Sequence, residues 1–169
     1  MKSPLSIDID ITVRSGKAYL PTLYFNKRHH LHFAREPVLV VDLTSEAAFE
    51  ALMEAVRKKI GEGNPLMEVP EDPEEFRRWL KKIKSTSSVA KAAGFKSWRP
   101  FAKKARAYHL GFLEDKIIVA MSGPSKGGWL VYDPKKTKEF PPDTPLEEVV
   151  RVIWEDIRST PELWEEDAP

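Results

Sequence analysis

The chain has 169 residues, 41% hydrophobic and 31% charged, enough to bury a core, and residues 1–169 read as a single domain. It has no cysteine, which excludes a disulfide framework, a thiolate metal site and a cysteine nucleophile. The formal net charge is only +1, yet residues 77–106 hold eleven of the 27 Lys and Arg and none of the 26 Asp and Glu, leaving a net −10 elsewhere.

The first strong pattern is LSIDIDITV, where Leu5, Ile7, Ile9, Ile11 and Val13 alternate with polar residues at the period-2 spacing of a half-buried strand. GKAYLPTLYF and RHHLHF read as a hairpin turning at Asn26-Lys27, and PVLVVDL reads as a separate buried strand. In TSEAAFEALMEAVRKKIG, Phe49, Leu52, Met53, Val56 and Ile60 recur at helical spacing, with Thr44 or Ser45 as the expected cap and Gly61 as the expected stop. After a Gly/Pro-rich connector, Asp72, Pro73 and Glu75 predict the start of a helix burying Phe76, Trp79, Leu80 and Ile83.

SSVAKAAG predicts a short helix stopped at Gly94, and SWRPFAKKA a second one in which Pro100 is tolerable in the first turn after Ser97. ARAYHLGFL and KIIVAM predict a hairpin across Glu114-Asp115, and GGWLVYD one further strand after the loop SGPSK. Thr144, Pro145 and Glu147 predict a capped helix burying Leu146, Val149, Val150, Ile153, Trp154 and Ile157. The expected architecture is α+β: a mainly antiparallel sheet with helices packed on one face, in two pseudo-repeated ββ(β)α halves joined by a basic helical connector.

Several patterns suggest chemistry. Asp8 and Asp10 share one strand face, as do His30 and His32, but neither pair has a third ligand close in sequence, so both read as solvated strand faces. SGPSKGG lacks Walker spacing and precedes a strand, which makes it a hairpin loop rather than a phosphate loop. SVAKAAGF followed by SWRPFAKKAR mimics a helix-turn-helix, with Pro100 falling inside the would-be recognition helix. Its bland reading is that Phe95, Trp98 and Phe101 pack the connector onto the sheet while the cations stay in water. No metal, cofactor or catalytic residue set is expected.

A further set of residues carries a resemblance. Gly94, Phe95, Lys96 and Ser97 form a Gly-aromatic-Lys-Ser turn, Phe101, Lys103 and Lys104 a Lys-rich helix end, Gly127 and Gly128 a Gly-rich loop, and Thr144 the start of a late helix. Across residues 88 to 158 the chain resembles the CdiI-type immunity proteins of bacterial contact-dependent growth inhibition systems. It departs from their pattern at Glu147-Glu148-Val149-Val150 and at Pro100. The resemblance implies a non-enzyme in the cytoplasm that binds and blocks its cognate toxin domain, commonly a nuclease. A monomer or weak homodimer is expected.

A nuclease cleft that holds phosphates is basic, so an inhibitor covering it gains rate and specificity from carboxylates. The expected partner-binding residues are therefore Glu148 and Glu155, outward at i and i+7 on the last helix, with Glu162, Glu165 and Glu166 beside Asp167 in the tail. Nucleic-acid binding by residues 77–106 ranks second. No stretch reaches the roughly 20 apolar residues of a membrane span, and MKSPLSIDIDITV has no apolar run long enough for a signal peptide, so no membrane partner is expected.

Overall fold

The computed structural model describes residues 6–85 and 87–167, apart from the side chains at 84 and 85. Six strands form an antiparallel sheet: β1 Ile7–Arg14, β2 Lys17–Asn26, β3 Leu31–Asp42, β4 Arg106–Phe112, β5 Ile117–Met121 and β6 Lys138–Phe140, in the order β3-β2-β1-β4-β5-β6. Five helices pack with it: α1 Ala48–Glu62, α2 Pro73–Ser85, α3 Ser88–Ala92, α4 Trp98–Ala102 and α5 Leu146–Arg158. The fold is α+β, as expected.

The alternation of β1 places it centrally. Ile9, Ile11 and Val13 are almost wholly buried and lie beside Leu110, Tyr108 and Arg106 of β4 in register. The face bearing Ile9, Ile11 and Val13 packs with Leu52, Met53 and Val56 of α1 and Val149, Val150, Ile153 and Ile157 of α5, making the main core. Tyr19 and Leu20 are consecutive in β2 and so point to opposite faces. Leu20 belongs to the main core, whereas Tyr19 packs with Val89, Ala90, Phe101 and Ala105 around α3 and α4. The helices therefore cover both faces of the sheet rather than one.

Ser15 and Gly16 turn the β1–β2 hairpin, both with positive φ, as a two-residue turn matched to strand twist requires. These strands then pair over only three residues, from Arg14↔Lys17 to Thr12↔Tyr19. Beyond that point the connector after α1 fills the gap. Asn64 accepts from the Asp8 amide at 2.8 Å and donates to the carbonyls of Asp8 and Leu23, and Phe25 exchanges backbone bonds with Pro65 and Met67.

Three local expectations differ from the structure. RHHLHF and PVLVVDL form one strand, β3, because Pro37 lies on an edge strand near a register shift between Leu20 and Thr22, where a missing N–H breaks no regular ladder. The turn before β3 occupies residues 27–30 rather than a tight Asn26-Lys27. GGWLVYD is not a strand: Gly127 and Gly128 both have positive φ, and single bridges at Lys126↔Trp129 and Ser122↔Tyr132 replace a ladder. The edge partner of β5 is instead β6.

Two of the expected caps are also absent. The Thr44 hydroxyl donates to Asp42 Oδ1 at 2.6 Å, α1 begins only at Ala48, and Gly63 rather than Gly61 closes it. The Thr144 hydroxyl donates to the Pro141 carbonyl at 2.7 Å, so α5 starts after Pro145 without a side-chain cap. The α2 cap is present, with Asp72 accepting from the Glu74 and Glu75 amides at 3.1 and 3.0 Å.

Candidate functional site

On the face opposite the main core, β1 and β4 bring together groups that lie far apart in sequence. Asp10 is the cross-strand partner of His109, and Asp8 that of Gly111. His109 Nδ1 lies 2.7 Å from Asp10 Oδ1 and its Nε2 3.0 Å from Asp8 Oδ1, while His32 of β3 reaches Asp8 Oδ2 at 3.3 Å. Gly111 lies against this cluster, where an added Cβ would make ordinary contact with the Asp8 carboxylate at 3.6 Å and with His109 Nε2 at 3.7 Å.

With a carboxylate on each ring nitrogen, His109 is held as an imidazolium donating from both sides. Burial opposes its charge, but the hydrogen bonds and negative charges of Asp10 and Asp8 outweigh burial and raise its pKa to about 9. Burial likewise pushes the Asp8 carboxyl up, and the hydrogen bond and charge of His109, with His32, bring it below its ordinary value. An imidazole doubly bound in this way has no lone pair for a metal, and the described residues hold no group of three His, Asp or Glu suited to one. The aspartates were expected on a solvated face; Asp8 is instead mostly buried in an ion-paired cluster. The readable signal was ARAYHLGF, whose alternation puts His109 on the polar face of its strand.

The expected acidic residues divide into two groups. Glu148 and Glu155 are exposed on α5 and form no ion pair among the described residues, and exposed Glu166 is likewise unpaired. Glu162 pairs with Arg106 at 2.8 Å and Glu165 with Lys104 at 3.3 Å. Neighbouring Asp167 is bound by the Arg14 guanidinium, which holds its carboxyl below the ordinary range. The tail is docked: Leu163 is fully buried and its carbonyl accepts from the Gly16 amide at 2.7 Å. Tyr108 and His109 are consecutive in β4, and the Tyr108 hydroxyl donates to Asp156 of α5 at 2.7 Å. The α5 acids and the His109 cluster therefore lie on opposite sides of the sheet.

Within the basic stretch, Phe95, Trp98 and Phe101 pack into the second core, as the bland reading holds. Trp98 Nε1 donates to the Gly128 carbonyl at 3.2 Å, which seats the loop after β5 on α4. That loop carries Trp129 and Val131, 71% and 61% exposed, and Tyr132, whose ring lies 6.1 Å from that of His109. Sequence reasoning missed these as surface groups because it placed them in a strand. Lys91, Lys96, Arg99 and Lys103 are exposed, and no ion pair engages them among the described residues.

No protein-family model matches the chain, and no curated protein matches it in sequence. Solved structures do match in fold. A Neisseria meningitidis protein of unknown function superposes with a TM-score of 0.62 at 12% identity, over 91% of this chain and 94% of its own. A chain of the CdiA-CT/CdiI toxin and immunity complex from Yersinia pseudotuberculosis superposes with a TM-score of 0.58 at 10% identity, over 95% of this chain and 98% of its own. At these identities the likeness is one of fold. Among the described residues no helix is long and apolar enough to cross a membrane.

Proposed function

We propose that this protein is an immunity protein that binds and neutralises the cognate toxic C-terminal domain of a contact-dependent growth inhibition effector, with a nuclease as the toxin. The observation that carries the reading is the near full-length fold likeness to a chain of a toxin and immunity complex, which agrees with the sequence resemblance over residues 88 to 158. The reading includes no catalysis. In its support, the polar cluster with the most chemical character is locked in ion pairs, and an imidazole with a pKa of about 9 is protonated at neutral pH and cannot serve as a general base there.

Nucleic-acid binding through the helix-turn-helix-like part of the basic segment has less support. α3 and α4 span five residues each and bury Val89, Ala90, Phe101 and Ala102, so neither offers a helix to lay along a major groove. The test is co-expression with the C-terminal domain of the effector encoded directly upstream. Growth should be restored, and purified protein should abolish the toxin's activity at equimolar ratio. Turnover by this protein alone, lost on substitution of one polar residue, would refute the reading.

A further inference from the structure

The loop between β5 and β6 is the most apolar exposed feature of the described surface. Trp129, Val131 and Tyr132 lie within four residues and are 71%, 61% and 37% exposed, although folding normally removes such groups from water. The loop is also held rigidly. Lys126 and Trp129 exchange backbone hydrogen bonds at 2.9 and 3.0 Å, Trp98 Nε1 binds the Gly128 carbonyl, Leu130 packs into the second core, and the Asp133 amide donates to Met121 at 2.9 Å. Rigid aromatic groups on a fixed platform lose little conformational entropy on binding, and Trp, Tyr and Arg are the side chains that dominate interface energetics.

Charge indicates what the loop meets. Arg99 lies against Gly128 and Lys126 sits at the loop's start, with Lys96 and Lys103 further along the same connector; none of these forms an ion pair among the described residues. By contrast, Lys104 and Arg106, at the end of the basic stretch, are paired with Glu165 and Glu162 of the tail. Free cations around an apolar centre are complementary to carboxylates around an apolar pocket. At the far end of the loop, His109 offsets part of the negative charge of Asp8 and Asp10 beneath Tyr132.

We propose that the segment 126–132, braced on α4, is the surface that docks the toxin. It takes a partner surface with an apolar pocket for Trp129, rimmed by carboxylates that meet Arg99 and Lys126. The proposal rests on the neutralisation reading. It places the contact on the side of the sheet away from Glu148 and Glu155, at an acidic surface of the toxin rather than its phosphate-binding cleft.

The test is calorimetric titration of the purified C-terminal domain of the upstream effector into wild type and three double variants whose unfolding midpoints match wild type. W129A/V131S should weaken binding about 100-fold. R99E/K126E should weaken binding about tenfold and flatten its salt dependence, whereas E148K/E155K should stay within about threefold. Wild-type affinity in W129A/V131S, with the wild type binding, overturns the docking surface and leaves the neutralisation reading standing. A loss confined to E148K/E155K moves the contact to α5. No binding by the wild type overturns the neutralisation reading and this surface together. Binding of a duplex or single-stranded oligonucleotide at about 0.15 M salt, removed by R99E/K126E while toxin binding is unaffected, overturns the proposal in favour of nucleic acid.

Discussion

Arg14 and Asp167, 153 positions apart, meet through Nε at 3.0 Å to Oδ1, and Arg14 is the hub of that end of the molecule. Its guanidinium also donates to the carbonyls of Pro100 and Phe101 and lies 4.4 Å over the Phe95 ring. One buried cation thus ties β1, α4 and the tail together. Arg14→Ala should cost about 3 kcal/mol in urea unfolding, because two carbonyls and a carboxylate lose their donor together. Asp167→Asn, at a half-open site, should cost about 1 kcal/mol or less. Equal costs would contradict the view that Arg14 acts mainly through α4.

The two groups of acids should respond differently to charge reversal. Glu148→Lys and Glu155→Lys change exposed, unpaired groups and should leave the thermal midpoint within about 2 °C. Glu162→Lys places a cation against Arg106, whose side chain is only 9% exposed, and should cost about 2 kcal/mol. Differential scanning calorimetry of the single variants checks both. A destabilised Glu148→Lys would mean that α5 has a charge partner not seen here.

The elements that sequence reveals are those whose signal is local. β1 is legible because its alternation coincides with its burial, and α5 because Val149, Val150, Ile153 and Ile157 fall on one stripe. The caps fail where a hydroxyl finds a nearer partner, as Thr44 does at Asp42 and Thr144 at Pro141. GGWLVYD has strand composition, but its paired positive-φ glycines turn the chain away from β5. The His109 cluster and the Arg106–Glu162 pair join residues whose proximity depends on strand order, which no local pattern encodes.

His109 makes stability depend on pH in a defined direction. Its folded pKa of about 9 lies above the ordinary 6.5, so its contribution is fully present below about 6.5 and is lost as pH rises through 9. With the ring about a quarter exposed, the loss should be about 2 kcal/mol. Asp8, shifted the other way, contributes above about 3.8 and loses its contribution as pH falls below that value. Chemical unfolding from pH 6 to 9, below the range in which the buried tyrosines ionise in the unfolded chain, should show the alkaline decline in wild type and a flat profile in His109→Asn. Direct titration of the ring by NMR, with Asp8, Asp10 and Tyr132 facing it and His32 on the far side of the Asp8 carboxylate, gives an independent reading. A midpoint near 6.5 would contradict the doubly bound imidazolium.

Lys59 tests a buried polar network on the other face. It is 4% exposed, and its ammonium donates to Thr22 Oγ1, the Pro37 carbonyl and Glu62 at 2.9, 3.1 and 3.2 Å. Burial pushes the Glu62 carboxyl up, but the bonds from Thr22 and Lys59 outweigh it and leave the pKa lowered. Lys59→Ala should cost about 3 kcal/mol in urea unfolding, since it strands a carboxylate and a carbonyl. Lys59→Met retains the stem and should cost less. An equal loss in both variants would assign the effect to charge alone rather than to charge and packing together.

Gly128 links loop geometry to docking. Its φ of +90° is one that side chains rarely adopt, and a Cβ there would lie 2.5 Å from Arg99 Cγ, so Gly128→Ala strains the backbone and displaces the cation that flanks Trp129. Gly127→Ala carries only the backbone strain of its φ of +61°, because nothing lies within 4 Å of the added methyl, and Gly123→Ala should be silent on both counts. All three should unfold within about 2 kcal/mol of wild type, since none of the three glycines itself packs into either core. Titrated with the upstream toxin domain, Gly128→Ala should lose about tenfold in affinity, Gly127→Ala less, and Gly123→Ala nothing, because the interface depends on Trp129 and Arg99 being presented together. If Gly128→Ala binds as wild type while Trp129→Ala does not, the tryptophan acts without its bracing, and the contribution assigned to Arg99 is wrong.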